Sequence, residues 1–290
     1  MTPASNTSTA GAPTAPASPP ELSVTTDGSA IRIRPLHSHH EFQDCVNLQR
    51  DIWGLEQSEI VPTTLLHVVD QVGGVAVGAF DADDALLGFV FGLTGVRDGE
   101  LVHWSHMLGV REATRNHGVG RMLKEYQRDA MHALGVRRIF WSFDPLQSKN
   151  AHFNINRLRA AVDSYVPDMY GKTGSPLHLG MATDRLVARI DTTLRTDPVA
   201  RIPSDRGLPI LTPFPRREDL IFTVGERTPE IVLIEIPENI MEVLETSPGT
   251  AQVWRSAVRD HFQWALSKGY IVTSVYRNTT TGRSFYALSR

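Results

Sequence analysis

The sequence predicts an α+β fold, and three observations support that class. Segments with the apolar alternation of strands and segments with the apolar spacing of helices follow one another in the order β, α, α, β, β, β, α, β, α. A glycine-containing loop lies between the fourth predicted strand and the helix that follows it. A second series, in the order β, α, α, β, β, follows a proline-rich stretch. The 290 residues are enough for one large domain or two small ones.

The first elements follow a tail that we place at residues 1–28. Its first twenty residues are mostly Thr, Ala, Ser and Pro and carry no charged side chain, so they cannot build a core and we expect disorder. Residues 30–36 alternate and predict a strand. Residues 41–53 have an apolar helical face, and a proline opens a second predicted helix over residues 62–72.

Strands and helices then alternate through the middle of the chain. Residues 73–81 and 85–94 are apolar segments on either side of an acidic turn, which predicts a hairpin, and residues 101–110 predict the next strand. Beyond the loop we predict a helix ending at Leu134, a strand at 137–143, a helix at 149–162, and strands at 164–171 and 186–190.

The loop at residues 115–120 is the most informative feature of the chain. Its sequence is Arg115-Asn-His-Gly-Val-Gly120, between a predicted strand and a predicted helix. The N–H groups of the first helical turn lack intrahelical partners, and the helix dipole favours an anion there. Because glycine lets the backbone approach a ligand closely, this spacing predicts a phosphate-binding site.

Two other phosphate loops do not fit these residues. A P-loop has Lys and then Ser or Thr after its second glycine, whereas Arg121 and Met122 follow Gly120. A dinucleotide-binding fingerprint needs three glycines that open a βαβ unit, and only two glycines have this spacing here.

Taken together, the strand, loop, helix and following strand resemble the acyl-CoA-binding segment of the GNAT acetyltransferase superfamily, whose loop has the pattern Arg/Gln-x-x-Gly-x-Gly/Ala. The resemblance covers roughly residues 30 to 192. It implies a three-layer fold around a mixed, mostly antiparallel sheet. The corresponding organisation is a tail at 1–28, a GNAT domain at 29–192, a connector at 193–222 and a C-terminal α+β region at 223–290. That last region is either a second, degenerate half or a packing extension.

The resemblance implies acetyl-CoA as co-substrate. The loop amides would hold its pyrophosphate, and the Arg115 side chain would add charge-assisted hydrogen bonds. The strand before the loop would pair with the pantetheine arm and polarise the thioester carbonyl. The residues assigned to cofactor binding are Leu108, Val110, Arg115, Asn116, His117, Gly118, Val119, Gly120, Arg121 and Asn150.

A group that titrates near neutrality would help to deprotonate an attacking amine. His103 and His106 lie three residues apart on the predicted central strand, so they face opposite sides of a sheet and at most one lines the acceptor cleft. His106 is nearer the expected thioester and is our first candidate for the base. The alternative for both histidines is a structural hydrogen bond to a backbone carbonyl.

The acid is where the sequence departs from the family. The tyrosine that the family commonly carries on the helix after the second core strand is replaced by Ile155. Tyr170, or Tyr165, would then protonate the leaving sulfur, unless the thiolate leaves without an acid. The predicted acceptor contacts are Asp144, His178 and Asp184. The alternatives are a helix N-cap for Asp144 and a loop salt bridge between Asp184 and Arg185.

Composition limits the classes of partner. A hydrophobic fraction of 41%, a charged fraction of 21% and a net charge of -3 are typical of a soluble protein and indicate neither nucleic-acid nor membrane binding. One cysteine, Cys45, permits no intrachain disulfide and no cysteine-rich zinc site, and we expect no metal. No apolar run approaches the roughly 18 residues of a membrane helix, and the N-terminal residues lack the pattern of a secretory signal. We therefore expect a cytoplasmic protein.

The predicted function is direct transfer of acetyl from acetyl-CoA to the amine of a small acceptor. A homodimer is one possible oligomeric state of the chain. Two alternatives stay open. One is a catalytically silent module that binds and senses acyl-CoA, which the missing tyrosine favours. The other is O-acyl transfer to a hydroxyl, which the same base would serve.

Overall fold

The computed structural model describes residues 20–26, 29–54, 60–171, 180–194, 207–216, 219, 221–222 and 228–290. The strands are β1 Leu22–Thr26, β2 Ser29–Pro35, β3 Val75–Phe80, β4 Leu86–Arg97, β5 Glu100–Val110, β6 Arg138–Phe143, β7 Ala161–Val166, β8 Arg185–Asp191, β9 Ile210–Leu211, β10 Ile231–Ile236, β11 Ile271–Asn278 and β12 Arg283–Ser289. The α-helices are α1 His39–Trp53, α2 Thr63–Gln71, α3 Val119–Ala133, α4 Ser148–His152, α5 Ile240–Thr246 and α6 Pro248–Ser267. Among the described residues, no helix is both long and apolar enough to cross a membrane.

Eight strands form the main sheet in the order β1-β2-β3-β4-β5-β6-β8-β7. Neighbouring strands are antiparallel except for β5 and β6, which are parallel. The predicted mixed, mostly antiparallel sheet is therefore confirmed. A parallel pair needs a crossover connection, and α3 supplies it between β5 and β6.

Helices cover both faces of this sheet. α1 and α2 pack on one face, where Phe89 and Phe91 of β4 belong to the same apolar cluster as Leu48 and Leu66 of the helices. On the opposite face, α3 and α4 share a second apolar cluster with β6 and with the C-terminal region. This is the three-layer arrangement expected from the sequence.

Local sequence signals set the ends of α1. Ser38 caps the helix and accepts a hydrogen bond from the Glu41 backbone N–H, while the Glu41 side chain accepts from the Ser38 backbone N–H. This reciprocal capping box satisfies two backbone donors that a helix otherwise leaves open. Gly54 ends the helix at a φ of 57°, in the left-handed region where glycine carries no side-chain penalty.

Three segments differ from the elements predicted by periodicity. Leu22–Thr26, which the sequence places in the N-terminal tail, forms β1 and pairs antiparallel with β2. Ile210–Leu211, placed in the connector, forms β9 and pairs parallel with β10. The helix predicted to reach residue 162 ends at residue 157.

The early end of that helix has a local cause. After α4, residues Phe153–Arg157 form a π-helical turn in which the Leu158 N–H donates to the Phe153 carbonyl at 2.9 Å. Arg159 then has a φ of 59°, so the chain leaves the helix. Because the helix stops there, β7 begins at Ala161 rather than at the predicted residue 164.

The C-terminal region forms a second sheet in the order β11-β12-β10-β9. It packs against the segment that follows β6, where the Tyr286 hydroxyl donates to the Pro145 carbonyl at 2.9 Å. The Asn156 side chain pairs with the Val275 backbone, accepting at 2.9 Å and donating at 2.6 Å. These contacts join the region to the main sheet at the C-terminal end of β6.

Candidate active site

The loop at residues 115–120 leads directly into the N terminus of α3. A 3₁₀ turn at Glu112–Thr114 precedes it, and Gly118 is the N-cap of α3 with a φ of 81°. Asn116 also lies in the left-handed region, at a φ of 70°. Alternation of this kind turns successive amides towards one side, and the first turn of α3 adds its own open N–H groups. The loop therefore has the geometry of an anion site.

The second glycine of the loop faces the centre of the molecule. A Cβ placed on Gly120 would lie 3.6 Å from the Phe153 ring, 3.7 Å from Val110 and 3.8 Å from Leu108. Leu108 and Val110 belong to the last part of β5, which places the start of α3 against that part of the strand. A larger side chain at this position would thus project towards β5 and Phe153.

Charged side chains around the loop form short-range contacts. Arg115 donates from Nε to the Val110 carbonyl at 3.4 Å and lies 3.9 Å from Glu112. Arg121 pairs with Glu125 one turn along α3, at 2.8 Å. Both arginines are largely exposed, so an incoming anion would compete only with weak surface pairs.

The parallel strands β5 and β6 separate beside this loop. Their recorded pairing extends from Val102 and Arg138 to Trp104 and Phe140. Just beyond, β5 contains a bulge: Met107 pairs with Phe91 and Ser105 with Gly92, which leaves His106 as the extra residue. Bulges of this kind re-aim side chains and end pairing, and they are frequent next to active sites. The structure thus has a gap between the parallel strands β5 and β6. The loop at residues 115–120, which we call the anion loop, follows β5 and lies beside this gap.

His106 lies on the face of the sheet covered by α1 and α2. Its ring is edge-on to Phe91, with ring centres 6.1 Å apart, and it is partly open to solvent. The surrounding apolar groups desolvate the ring and lower its pKa. A histidine with a lowered pKa is neutral at pH 7 and is able to accept a proton.

His103 lies on the opposite face, as the spacing predicts, and is fully buried. Its Nδ1 is 2.9 Å from the Thr94 hydroxyl and its Nε2 is 2.9 Å from the Gln127 side-chain amide. Burial, and secondarily the charge of Lys124, lowers the pKa of His103 to about 3. We therefore leave His103 out of the proposed catalytic set, since both nitrogens already have partners.

Tyr170 approaches β6 from the same face as His106. Its hydroxyl lies 2.8 Å from the Ser142 hydroxyl, and the Arg185 guanidinium lies 5.3 Å from its ring centre. Tyr170 as a whole is 44% exposed. Tyr165, the other tyrosine considered for the acid, donates to Asp184 at 2.6 Å, and burial together with this partner raises its pKa.

Two of the predicted acceptor contacts are occupied by arginines of the C-terminal region. Asp144 receives two hydrogen bonds from Arg255, at 2.9 and 2.7 Å. Asp184 is fully buried and receives two from Arg259, at 2.8 and 2.5 Å. Asp184 is thus paired with α6. Neither carboxylate is left open for an acceptor amine.

Hydrogen bonds within the segment that follows β6 account for further predicted residues. Asp144 also accepts from the Leu146 N–H at 2.8 Å, close to the N-cap role weighed as its alternative. Asn150 is exposed on α4 and accepts from Asn154 at 3.1 Å. Asn154 in turn accepts from the Trp141 indole at 2.9 Å. His178 lies outside the described residues.

The apolar periodicity of the sequence does not identify one buried side chain at this site, that of Lys124. It is 5% exposed, and its Nζ donates to the Ser105 hydroxyl at 2.7 Å. The same nitrogen lies 4.2 Å from the centre of the Trp141 ring. Burial lowers the pKa of Lys124 to about 7. A lysine on an amphipathic helix is ordinarily solvated, so the helical pattern contains no signal for this position.

No family model matches the chain, and no curated protein matches it either. Solved structures do match. One is the acetyltransferase of the GNAT family from Streptococcus pneumoniae, at 13% identity and a TM-score of 0.45, covering 56% of this chain and 99% of that one. Another is an aminoglycoside 6′-N-acetyltransferase complexed with coenzyme A, at 16% identity and a TM-score of 0.43, covering 57% and 99%. A third is the NatC complex bound to Gag peptide and coenzyme A, at 16% and 0.44, covering 56% and 98%.

Apart from β1, β9 and the early end of the helix after β6, the elements expected from the sequence are present. The described strands follow the predicted order, β5 and β6 are the parallel pair, and the glycine loop joins β5 to α3. The chain thus has the three-layer α+β fold that its sequence predicts, with a C-terminal α+β region added to it.

Proposed function

We propose that this chain is an acyl-CoA-dependent N-acetyltransferase, which transfers acetyl from acetyl-CoA directly to the amine of a small acceptor. The observation that carries the proposal is the position of the anion loop. It opens beside the gap between β5 and β6, so a pyrophosphate at the start of α3 would direct the rest of the cofactor into that gap.

The proposed donor site uses the loop and the last part of β5. The amides from Asn116 to Arg121, with His117, Gly118 and Val119 between them, would bind the two phosphates, and the exposed Arg115 would turn towards them. The strand-like pantetheine arm would lie along Leu108 and Val110, with Asn150 on α4 as a further polar contact. A backbone N–H near the bulge would stabilise the developing oxyanion.

The proposed reaction is a single displacement at the thioester. The acceptor nitrogen attacks the carbonyl carbon, a C–N bond forms, and the C–S bond breaks with its electron pair leaving on sulfur. His106 takes the proton that the nitrogen loses. Tyr170 donates its hydroxyl proton to the thiolate and recovers one from solvent. His106 and Tyr170 suit these roles because both approach the gap from the face opposite α3.

The acceptor would enter from that same face. The bulge presents His106 there, and Ser142 and Tyr170 present hydroxyls from the β6 side. We place a small amine in this space and not beside Asp144 or Asp184. Those two carboxylates are already paired with arginines, so a second cation there would have to displace an existing partner.

Calorimetric titration of acetyl-CoA and coenzyme A tests the donor site. Gly120→Val would fill the space between α3, Leu108 and Phe153, and we expect micromolar binding in the wild type and at least tenfold weaker binding in this variant. Gly95→Val is the matched control, because its Cβ meets nothing within 4 Å and valine suits a strand. Equal affinities in all three proteins, or none in the folded wild type, would rule out the donor site.

Turnover is tested next, with a panel of small amines and thiol detection. Transfer to an amine that depends on His106 supports the enzyme. Binding without turnover of any amine would favour a silent acyl-CoA-binding module, and turnover of hydroxyl compounds alone would favour O-acyl transfer.

A further inference from the structure

A cavity of about 280 Å³ lies between α3 and the segment that follows α4. Its third wall is the end of β8, near Ile190. Its basic lining residues are Arg121, Lys124, Arg128, Arg157, Arg159 and Arg189. Neither Gly118 nor Gly120 is among the lining residues, and the cavity adjoins the loop only through Arg121.

The lining is basic, and two of its arginines pair with carboxylates outside it: Arg128 with Asp129 at 2.8 Å and Arg189 with Asp163 at 3.4 Å. Six of its side chains are Lys or Arg and two are carboxylates. Both carboxylates have cationic partners, Glu125 with Arg121 at 2.8 Å and Asp191 with Arg137 at 3.4 Å. Within the described part of the chain, Arg157 and Arg159 have no carboxylate within 4.0 Å. The cavity therefore holds positive charge that the protein does not itself neutralise.

The positive charge of this cavity lies with Arg157 and Arg159, on the segment that follows α4. Lys124 also lines the cavity, but its amine is directed to the Ser105 hydroxyl and the Trp141 ring, neither of which lines it.

We propose that this cavity binds a small organic polyanion, with its phosphate or carboxylate groups on Arg157 and Arg159. The apolar side chains of Leu158, Ile190 and Leu194 would contact its carbon skeleton. Two sources have this chemistry: a free polyanionic metabolite, or the terminal phosphate of a coenzyme A molecule whose pyrophosphate lies at the loop. The site itself does not depend on acetyl transfer.

Inorganic pyrophosphate is the probe, titrated calorimetrically at low ionic strength. The titration uses the Gly120→Val protein with Gly118→Val added, so that the loop contributes no binding. We expect saturable binding in this background and at least a tenfold loss when Arg157→Gln and Arg159→Gln are introduced together. Arg50→Gln with Arg277→Gln is the matched control, since both of these arginines are exposed and outside the cavity.

A second variant distinguishes loss of the binding site from misfolding of the protein that carries both arginine substitutions. Ala161→Glu places a carboxylate on the exposed rim of the cavity and leaves the arginines intact, and it should also weaken pyrophosphate at least tenfold. Unchanged affinity in either cavity variant, or no binding in the loop-deficient background, overturns the proposal. Neither result bears on the loop, whose own test is acetyl-CoA binding to the otherwise unaltered chain.

Titration of coenzyme A and its 3′-dephospho form into the protein with an intact loop then identifies the source of the anion. A preference for coenzyme A that is lost in Arg157→Gln with Arg159→Gln supports occupation of the cavity by the terminal phosphate of the cofactor. An equal preference in both proteins, or none in either, supports a free polyanion.

Discussion

The amine of Lys124 in α3 donates to the hydroxyl of Ser105 in β5 at 2.7 Å. The same amine lies 4.2 Å from the centre of the Trp141 ring in β6. One buried side chain thus contacts both parallel strands, just past their last recorded pair, Trp104 and Phe140. This burial has a measurable consequence for the stability of the protein.

The stability of the protein should depend on pH through Lys124. Burial lowers its pKa to about 7, whereas the unfolded chain titrates near about 10.4. Below pH 7 both states are protonated and the full cost of burying the charge is present. Between pH 7 and about 10 the unfolded state binds the extra proton, so the free energy of unfolding rises with pH.

Urea denaturation of the wild type and Lys124→Met, at pH 6.5 and pH 10, measures this effect. We expect the wild type to gain on the variant by a few kcal/mol between the two pH values, because methionine has no proton to lose. Lys268→Met, at an exposed position, is the control and should follow the wild type. A pH-independent difference between the wild type and Lys124→Met would contradict the assignment.

The loop glycines should differ in what they tolerate. Gly118 has a φ of 81°, so Gly118→Ala should reduce the free energy of unfolding by roughly 1–2 kcal/mol, and Gly118→Asn by less because asparagine accepts the left-handed region. Gly120 has no such constraint and its Cβ would make ordinary contacts, so Gly120→Ala should be close to neutral. Thermal unfolding of the three variants checks the order, and equal losses at both positions would be inconsistent with it.

The loop could be predicted from sequence because its chemistry is local. Gly118 and Gly120 act through the backbone of their own segment, and the strands and helix around them have clear apolar periods. His103 and His106 were also placed correctly on opposite faces, since alternation along β5 is undisturbed between them. The bulge that exposes His106 depends on the register with β4, and no pattern within β5 indicates it.

Contacts between distant segments could not be predicted. Asp144 appears in the sequence as a candidate for an amine ligand, and its actual partner, Arg255, is 111 residues away. Lys124 appears as a solvated position on an amphipathic helix until β5 and β6 close over it. For both residues the sequence gives the type of side chain. The groups that surround it belong to elements that only the fold brings together.

The Asp144–Arg255 pair should join the C-terminal region to the main sheet energetically. Arg255 is 3% exposed and Asp144 13%, so removing one partner leaves a buried charge. Arg255→Met or Asp144→Asn should each cost about 3–5 kcal/mol of unfolding free energy. The double variant should cost clearly less than the two single losses added together.

Urea unfolding of the four proteins in this cycle gives the coupling between the two residues. The exposed pair Arg121 and Glu125 serves for comparison, with an expected coupling of about 0.5 kcal/mol or less. Additive losses at Asp144 and Arg255 would mean that the pair does not stabilise the interface.

His106 should control the acid side of the pH–rate profile if it is the base. Desolvation lowers its pKa below the ordinary 6.5, so the proposed reaction should keep its rate at pH 6.5 and slow only at lower pH, where the ring becomes protonated. His106→Gln should lower kcat/KM by about 10²–10⁴ and remove this acid limb. His132→Gln, at an exposed position near the end of α3, should change neither quantity. An acid limb that persists in His106→Gln would assign the base to another group, and a slower reaction with unchanged pH dependence would give His106 a role in positioning the acceptor.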